Sequence, residues 1–337
     1  MRANFALARE LGLPRIESDY WRELLSRGRQ EHGGKDGFLE REDLWASFRR
    51  NVITKGLDNA NVPEEAVAKV QAKCRAIYER ISPAIPAGLR PFLEESPIGN
   101  PRTHDVDGIR LTQSSLEYTY MLSHLNSHLD CARVVVDIGG GYGGLVRLIK
   151  LARPAMRFVL LDLPEVNAIQ AYFLANAFPD AKVLGLTDVS HVKLIDPRSL
   201  DFDFLVLPGQ LFDRLGPSSF DAIINTRSMM EMDLETVGFY IRGIQEKLAP
   251  GGIFYCVNRY EKKTRLKDYP FDEKWRVAFS EPWPRFIDEN PHHELVAVRA
   301  ESRVEKGLKE LARTFPPYEG VLERFRAKWM AREIRRD

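Results

Sequence analysis

One glycine-rich stretch carries most of the chemistry this sequence can support. Gly139-Gly140-Gly141-Tyr142-Gly143-Gly144 follows directly on the apolar run Val134-Val135-Val136-Asp137-Ile138. Glycine has no Cβ and takes positive φ, so such a turn lets the backbone approach a ligand closely. A helical pattern with Leu145, Leu148, Ile149 and Ala152 on one face begins at once. The N-terminus of a helix presents unpaired N–H groups. Phe158 to Leu161 reads as the next strand and closes on Asp162, about 20 residues beyond the first glycine. A carboxylate there can accept two hydrogen bonds from ribose hydroxyls.

The spacing fits two ligand templates. Gly139, Gly141 and Gly144, with Asp162, satisfy the dinucleotide fingerprint G-x-G-x-x-G. Gly139, Gly141 and Gly143 satisfy G-x-G-x-G, the loop of S-adenosylmethionine methyltransferases. A turn that needs glycine only for packing is the third reading. Asp137, at the head of the turn, suits a ligand with an ammonium group and would repel a pyrophosphate. A dehydrogenase would also need a hydride-side pair such as Tyr-x-x-x-Lys after the fourth strand, and none is found there. A binding module that keeps the fold without turnover stays open.

With these residues in place, the sequence resembles the family of sugar O-methyltransferases, class I enzymes that use S-adenosylmethionine. The matching segments are Ser115-Leu116-Glu117-Tyr118, the glycine turn with Asp137, Asp162-Leu163-Pro164-Glu165-Val166, the run from Ile224 to Met232, and Gly251 to Arg259. They span about Ser114 to Tyr260, with a weaker tail to Trp283. The resemblance implies methyl transfer from S-adenosylmethionine to a hydroxyl of a sugar or sugar-bearing small molecule. Transfer to nitrogen or to a non-sugar natural product is the nearest alternative. The implied cofactor set is Tyr118, Asp137, Gly139, Gly141, Gly143, Asp162, Leu163, Gln210, Leu211 and Asn225. Gln210 and Leu211 follow the candidate third strand, where this fold meets the adenine.

A hydroxyl acceptor must lose its proton during transfer, so a base is needed near the carboxyl edge of the sheet. Glu231, just beyond the strand Ala222 to Ile224, is the first candidate; its bland alternative is a carboxylate at a helix start, beside Asp233 and Glu235. Asn258 and Arg259 end the strand that starts at Ile253, where Asn258 could orient the acceptor and Arg259 could meet an anionic group. The basic run Arg259, Lys262, Lys263, Arg265 and Lys267 fits a diphosphate, but Glu261 and Asp268 favour a solvated loop. Tyr120, His124 and His128 share a helix face, and His124 is the substrate-side candidate among them. No third ligand accompanies the histidines, and His191 and His292-His293 have no identifiable partner, so no metal is expected.

The elements that must position these groups change character near residue 130. Before it, helices alternate with polar loops: one from Pro63 with Val67, Val70, Cys74, Ile77 and Ile81 on a face, and one from Ser114 to Leu129. Between them Ser82 to Pro101 holds five prolines and two glycines and reads as a strap. Beyond 130, short apolar strands alternate with amphipathic helices, the pattern of a doubly wound, mostly parallel α/β sheet. Val183–Leu186 and Phe204–Leu207 compete for the third strand; the second is favoured as the strand bordering the ligand because Pro208-Gly209-Gln210 breaks it sharply, and the first can be a strand too, with Thr187 to Phe202 as an insertion. The expected organisation is a helical cap over 1–130 on the acceptor side, a Rossmann-like core over 131–260, and a wall segment with a basic tail over 261–337.

Composition narrows the partners. The 337 residues carry 49 Lys plus Arg against 48 Asp plus Glu, a net charge of +1, which gives no global footprint for nucleic acid or anionic membrane. No apolar run approaches the ~18 residues of a membrane span, and residues 1–10 are too charged for a signal peptide. Three scattered cysteines, Cys74, Cys131 and Cys256, suit a reducing cytoplasm and give no disulfide framework. The N-terminal helices could also pair two subunits, so a homo-oligomer is an open expectation.

Overall fold

The computed structural model describes residues 2–13, 21–23, 25, 26, 45–50, 64–284, 287 and 290–315. The helix start expected at Pro63 and the basic tail from Arg324 lie outside the described residues. The N-terminal part comprises α1 (Arg2–Glu10), α2 (Val67–Ile81), a small hairpin β1 (His104–Val106) and β2 (Ile109–Leu111), and α3 (Gln113–Leu125). Helix α3 starts where Thr112 and Ser115 exchange side-chain-to-backbone hydrogen bonds of 3.0 and 3.1 Å, a reciprocal cap that satisfies two donors at the helix start.

The core follows as β3 (Val134–Ile138), α4 (Gly144–Ala152), β4 (Arg157–Asp162), α5 (Pro164–Ala177), β5 (Val183–Gly185), α6 (Leu186–Val189), β6 (Phe204–Pro208), β7 (Phe220–Thr226), α7 (Leu234–Lys247) and β8 (Leu248–Arg259). After it come β9 (Trp275–Pro282), β10 (His292–Arg299) and α8 (Leu308–Arg313). Eight strands form one sheet in the order β5-β6-β4-β3-β7-β8-β10-β9. The first six in that order run parallel, and β10 is antiparallel to both its neighbours. Strands β3 and β6 are buried at every residue, as expected of parallel strands covered on both faces. One apolar layer joins alternate strand residues to α2, α3, α4 and α5, and a second joins the intervening ones to α6, α7 and α8. The chain passes from β3 to β4 on one side and returns to β7 on the other. The crevice between the carboxyl ends of β3 and β7 is therefore the switch point at which such sheets bind ligands.

Both candidate third strands exist: the favoured one, β6, pairs with β4, with Leu160 opposite Val206, and β5 is added outside it, with Val183 opposite Phe204. Two other expectations need amendment. The sheet does not stop at Tyr260, because β9 and β10, from the supposed wall segment, continue it beyond β8. Helix α1 is not over the acceptor side. It packs on α5 and α6 at the β5 edge, with Phe5 in one apolar layer and Ala8 in the other. Asn4 Oδ1 fixes it there by accepting from Thr187 N at 2.7 Å and Thr187 Oγ1 at 2.9 Å. An exposed edge strand is a template for unwanted pairing, and α1 covers this one.

The proline-rich strap is tied down by a buried ion pair. Arg49 and Glu95 meet at 2.9 Å, with side chains 0% and 5% exposed. Glu95 also accepts from Thr112 Oγ1 at 2.5 Å and Ser96 N at 2.7 Å, and the Arg49 guanidinium lies 4.4 Å from the Tyr142 ring centre. Burial alone would raise the Glu95 carboxyl, but Arg49, Thr112 and the Ser96 N–H together hold it below the ordinary carboxylate range. This contribution to stability is present at neutral pH and lost as pH falls through the lowered value. Glu95→Ala leaves the guanidinium buried without its carboxylate and should cost about 3–5 kcal/mol in denaturant unfolding at pH 7. A loss below about 1 kcal/mol would show that the pair does not anchor the strap.

Candidate functional site

The site assembles where β3, β4 and β7 end. Gly139, Gly141 and Gly143 all have positive φ, of 67°, 60° and 93°. These are the three positions of the G-x-G-x-G spacing. Gly144 instead opens α4, and a Cβ there would stand 2.5 Å from Tyr118. The side chain of Tyr118 thus packs against the turn, its ring 6.1 Å from that of Tyr142.

Asp137 lies beneath this turn. It is 1% exposed, and among the described residues neither carboxylate oxygen has a hydrogen-bond partner. A Cβ on Gly140 would come within 1.9 Å of its Oδ2, so the turn passes directly over the carboxylate. Burial pushes the Asp137 carboxyl up to about 7. Asp162, at the end of β4, is pushed up to about 8, first by burial and further by Asp137 and Glu231. Its hydrogen bonds from Leu163 N at 2.8 Å and Gly141 N at 3.3 Å act the other way. Gln170 Nε2 also reaches Asp162 Oδ2 at 3.3 Å. Asp162 thus stands within electrostatic reach of both Asp137 and Glu231. S-adenosylmethionine carries both an ammonium and a sulfonium charge, and an orphaned buried carboxylate fits its ammonium end. A dinucleotide pyrophosphate does not fit.

Asn225 and Asn258 form a bracket across the crevice. Asn225 Nδ2 donates to the carbonyl of Ile138 at 2.8 Å and to Ser228 Oγ at 2.5 Å. Asn258 Nδ2 donates to Asn225 Oδ1 at 2.7 Å, and Asn258 Oδ1 accepts from Met230 N at 3.1 Å. Both side chains are fully buried, and these bonds hold the ends of β3, β7 and β8 in register. Asn258, expected at the acceptor, has its amide engaged inside the protein and fixes the Met229–Glu231 turn from below. Ser228 completes the bracket, and Gly139 must lack a Cβ because Ser228 Oγ would stand 2.2 Å from it.

Glu231 ends that turn. Its Oε2 accepts from the indole Nε1 of Trp21 at 2.7 Å and its Oε1 from Lys262 Nζ at 2.5 Å. It does not serve the start of α7, which is capped by Asp233 accepting from Thr236 N at 2.8 Å. Arg259 sits half-buried at the end of β8, its N–H directed to Met230 Sδ at 3.4 Å. Gln210 and Leu211 follow β6 in a 3-10 turn, with Gln210 half-buried and Leu211 in the apolar layer beneath. Leu163 packs with Val166, Leu25 and Trp21.

His124 is elsewhere. Its Nδ1 lies 2.9 Å from Glu294 Oε2, and Tyr255 OH donates to the other oxygen of Glu294 at 2.6 Å. It is two helical turns beyond Glu117, the α3 residue that reaches the end of β7. There Glu117 pairs with Arg227 at 2.5 Å, and Arg227 holds a positive φ of 62°, unusual for a residue with a side chain. Trp21, Glu117, Arg227 and Ser228 were not picked out as site residues from sequence. Arg227 and Ser228 lie inside the matched run Ile224–Met232 and Glu117 inside the matched segment Ser115–Tyr118, which were the available signals; Trp21 had none. No group of three or more His, Cys, Asp or Glu side chains among the described residues is arranged to hold a metal ion.

An O-methyltransferase domain model matches residues 100–185, the stretch that contains β3, the glycine turn, β4 and Asp162. Mitomycin 7-O-methyltransferase is similar at 16% identity over 79% of this chain and 75% of its own, with a TM-score of 0.35. The magnesium protoporphyrin IX methyltransferase of Synechocystis PCC 6803, solved with bound S-adenosylmethionine, is similar at 16% identity over 56% and 80%, with a TM-score of 0.39. No curated protein matches the chain in sequence. No helix of the described residues is long and apolar enough to cross a membrane.

Asp137→Asn separates binding from stability. A carboxyl raised by burial binds its proton more tightly when folded, so it lowers stability progressively as pH rises from about 4 through about 7. Replacing it should stabilise the free protein at pH 8 by on the order of 2 kcal/mol, after allowing for the desolvated amide. The same change should weaken S-adenosylmethionine at least tenfold in calorimetric titration. A destabilised variant with unchanged affinity would contradict this assignment. The glycine turn and the carboxyl ends of β3 and β4 lie within the stretch that the O-methyltransferase domain model matches.

Proposed function

We propose that this protein methylates a hydroxyl of a sugar or sugar-bearing small molecule. The observation that carries the reading is the position of Glu231. It is a carboxylate at the carboxyl end of β7, close enough to raise the Asp162 carboxyl and supported by an indole N–H and an ammonium. The motif resemblance from Ser115 to Arg259 supports the sugar class, and the O-methyltransferase domain match supports oxygen as the acceptor atom.

Bound against Asp137 and Asp162, the cofactor supplies a sulfonium methyl for in-line displacement. Asp137 takes the ammonium end and Asp162 the ribose hydroxyls, with Tyr118, Leu163, Gln210 and Leu211 around the adenosine. Glu231 accepts the acceptor's hydroxyl proton as the C–O bond forms. Lys262 keeps that carboxylate oriented. The bracket of Asn225, Ser228 and Asn258 sets the height of the Met229–Glu231 turn above the crevice, and orientation supplies much of the rate in a displacement of this kind. Arg259, with Arg227 and Glu117, gives the acceptor side a polar wall suited to a hydroxyl-rich molecule. His124, engaged with Glu294, lies outside this arrangement.

Incubation with methyl-labelled S-adenosylmethionine and a panel of glycosides, nucleotide sugars, phenols and amines tests the reading. Label should appear on a sugar hydroxyl. Glu231→Gln should lower kcat by about 10²–10⁴ and change cofactor affinity far less. Label confined to amines or phenols, or undiminished turnover in Glu231→Gln, would overturn it.

A further inference from the structure

Trp21 precedes the sheet by more than a hundred residues, yet it touches both halves of the site. Its indole Nε1 donates to Glu231 Oε2 at 2.7 Å, across 210 positions of sequence. It also packs with Leu25 against Leu163 and Val166. Leu163 is the residue after Asp162, and its N–H donates to Asp162 Oδ1. The segment of Trp21 and Leu25 therefore extends from the end of β4, where adenosine would lie, to the turn beyond β7. Glu231 is the last residue of a three-residue 3-10 turn. What fixes it is a donor on each oxygen, Trp21 on one and Lys262 on the other.

We infer that Trp21 is a positioning residue that couples the cofactor half of the site to Glu231, an inference that rests on Glu231 being the acceptor-side carboxylate. A ligand against Leu163 presses on the apolar roof of Leu25 and Trp21. The indole N–H transmits that contact to the Glu231 carboxylate. Coupling of this kind is reciprocal, so the Glu231–indole bond strengthens the roof over the ligand as much as the ligand fixes the bond.

The test needs no acceptor. S-adenosylhomocysteine has a neutral sulfur, so removal of the Glu231 charge does not act on it through a sulfonium. Its affinity is measured calorimetrically for wild type, Trp21→Phe, Glu231→Ala, the double variant and Glu231→Gln. Each of the first two single changes should weaken binding roughly three- to tenfold, the scale of one lost hydrogen bond with its packing. The double variant should lose no more than the weaker-binding single variant, and Glu231→Gln, which keeps an acceptor oxygen, should stay within about twofold of wild type. The indole N–H signal that disappears in Trp21→Phe should exchange with solvent at least about tenfold faster in Glu231→Ala. Losses that multiply in the double variant, single variants without effect, or an unchanged exchange rate would each overturn the coupling. A wild type that does not bind S-adenosylhomocysteine would overturn the cofactor assignment along with it. A failed acceptor panel alone leaves this cycle readable, so the two readings fail separately.

Discussion

A carboxylate buried without a hydrogen bond is among the costliest groups a protein interior can hold. Asp137 is held in that state at the head of the glycine turn, and much of the surrounding architecture can be traced to it. It sits near the end of β3, a strand of the parallel part of the sheet that is buried at every residue. The turn above it has glycine at each close approach because a Cβ would collide with the carboxylate or with Ser228. A second buried acid, Asp162, stands at the end of the next strand, its carboxyl also raised, first by burial. An interior that holds two such acids is poor for folding, and a bound cation would favour their ionised forms.

The crevice must also be held open to a fixed width. Parallel strands are spaced by their ladders, and the ladder between β3 and β7 ends with Asp137 opposite Ile224. The amide bracket of Asn225 and Asn258 extends the spacing beyond the last ladder bond by tying the Ile138 carbonyl to the turn after β7 and that turn to β8. Buried amides of this kind are stabilising only when every donor and acceptor is satisfied, and here the two satisfy each other. The strap and α3 meet the same edge from the other side through the Arg49–Glu95 and Arg227–Glu117 pairs.

Local signals made the core legible. Strand, glycine turn, helix and acid lie within thirty residues, and each is read from residue type and short-range periodicity. Asp137 was read from its charge alone as a partner for an ammonium group, and what the structure adds is that its carboxylate is buried without a hydrogen-bond partner among the described residues. What was not legible depends on contacts far apart in sequence. Nothing near Trp21 signals its bond to Glu231, 210 residues away. Asn258 looks free in sequence because its partners, Asn225 and Met230, are brought to it only by β7 and β8 pairing. His124 shares a helix with Glu117 and Tyr118, but its place is set by Glu294 on β10, a strand the apolar pattern did not separate from the tail. Helix α1 reads as a generic cap, and only the extra strand β5 explains why it lies at the opposite edge.

The account turns on cation binding by carboxylates that are protonated when free. Calorimetric titration of S-adenosylmethionine at pH 6.5, in two buffers of different ionisation enthalpy, counts the protons exchanged on binding. Asp137 and Asp162, raised to about 7 and about 8, then carry most of their protons in the free protein, and the ammonium of the ligand is fully charged. Binding should release between about one and two protons. Tight binding with no proton release would show that the ligand is not held by these carboxylates, and the central claim would fall.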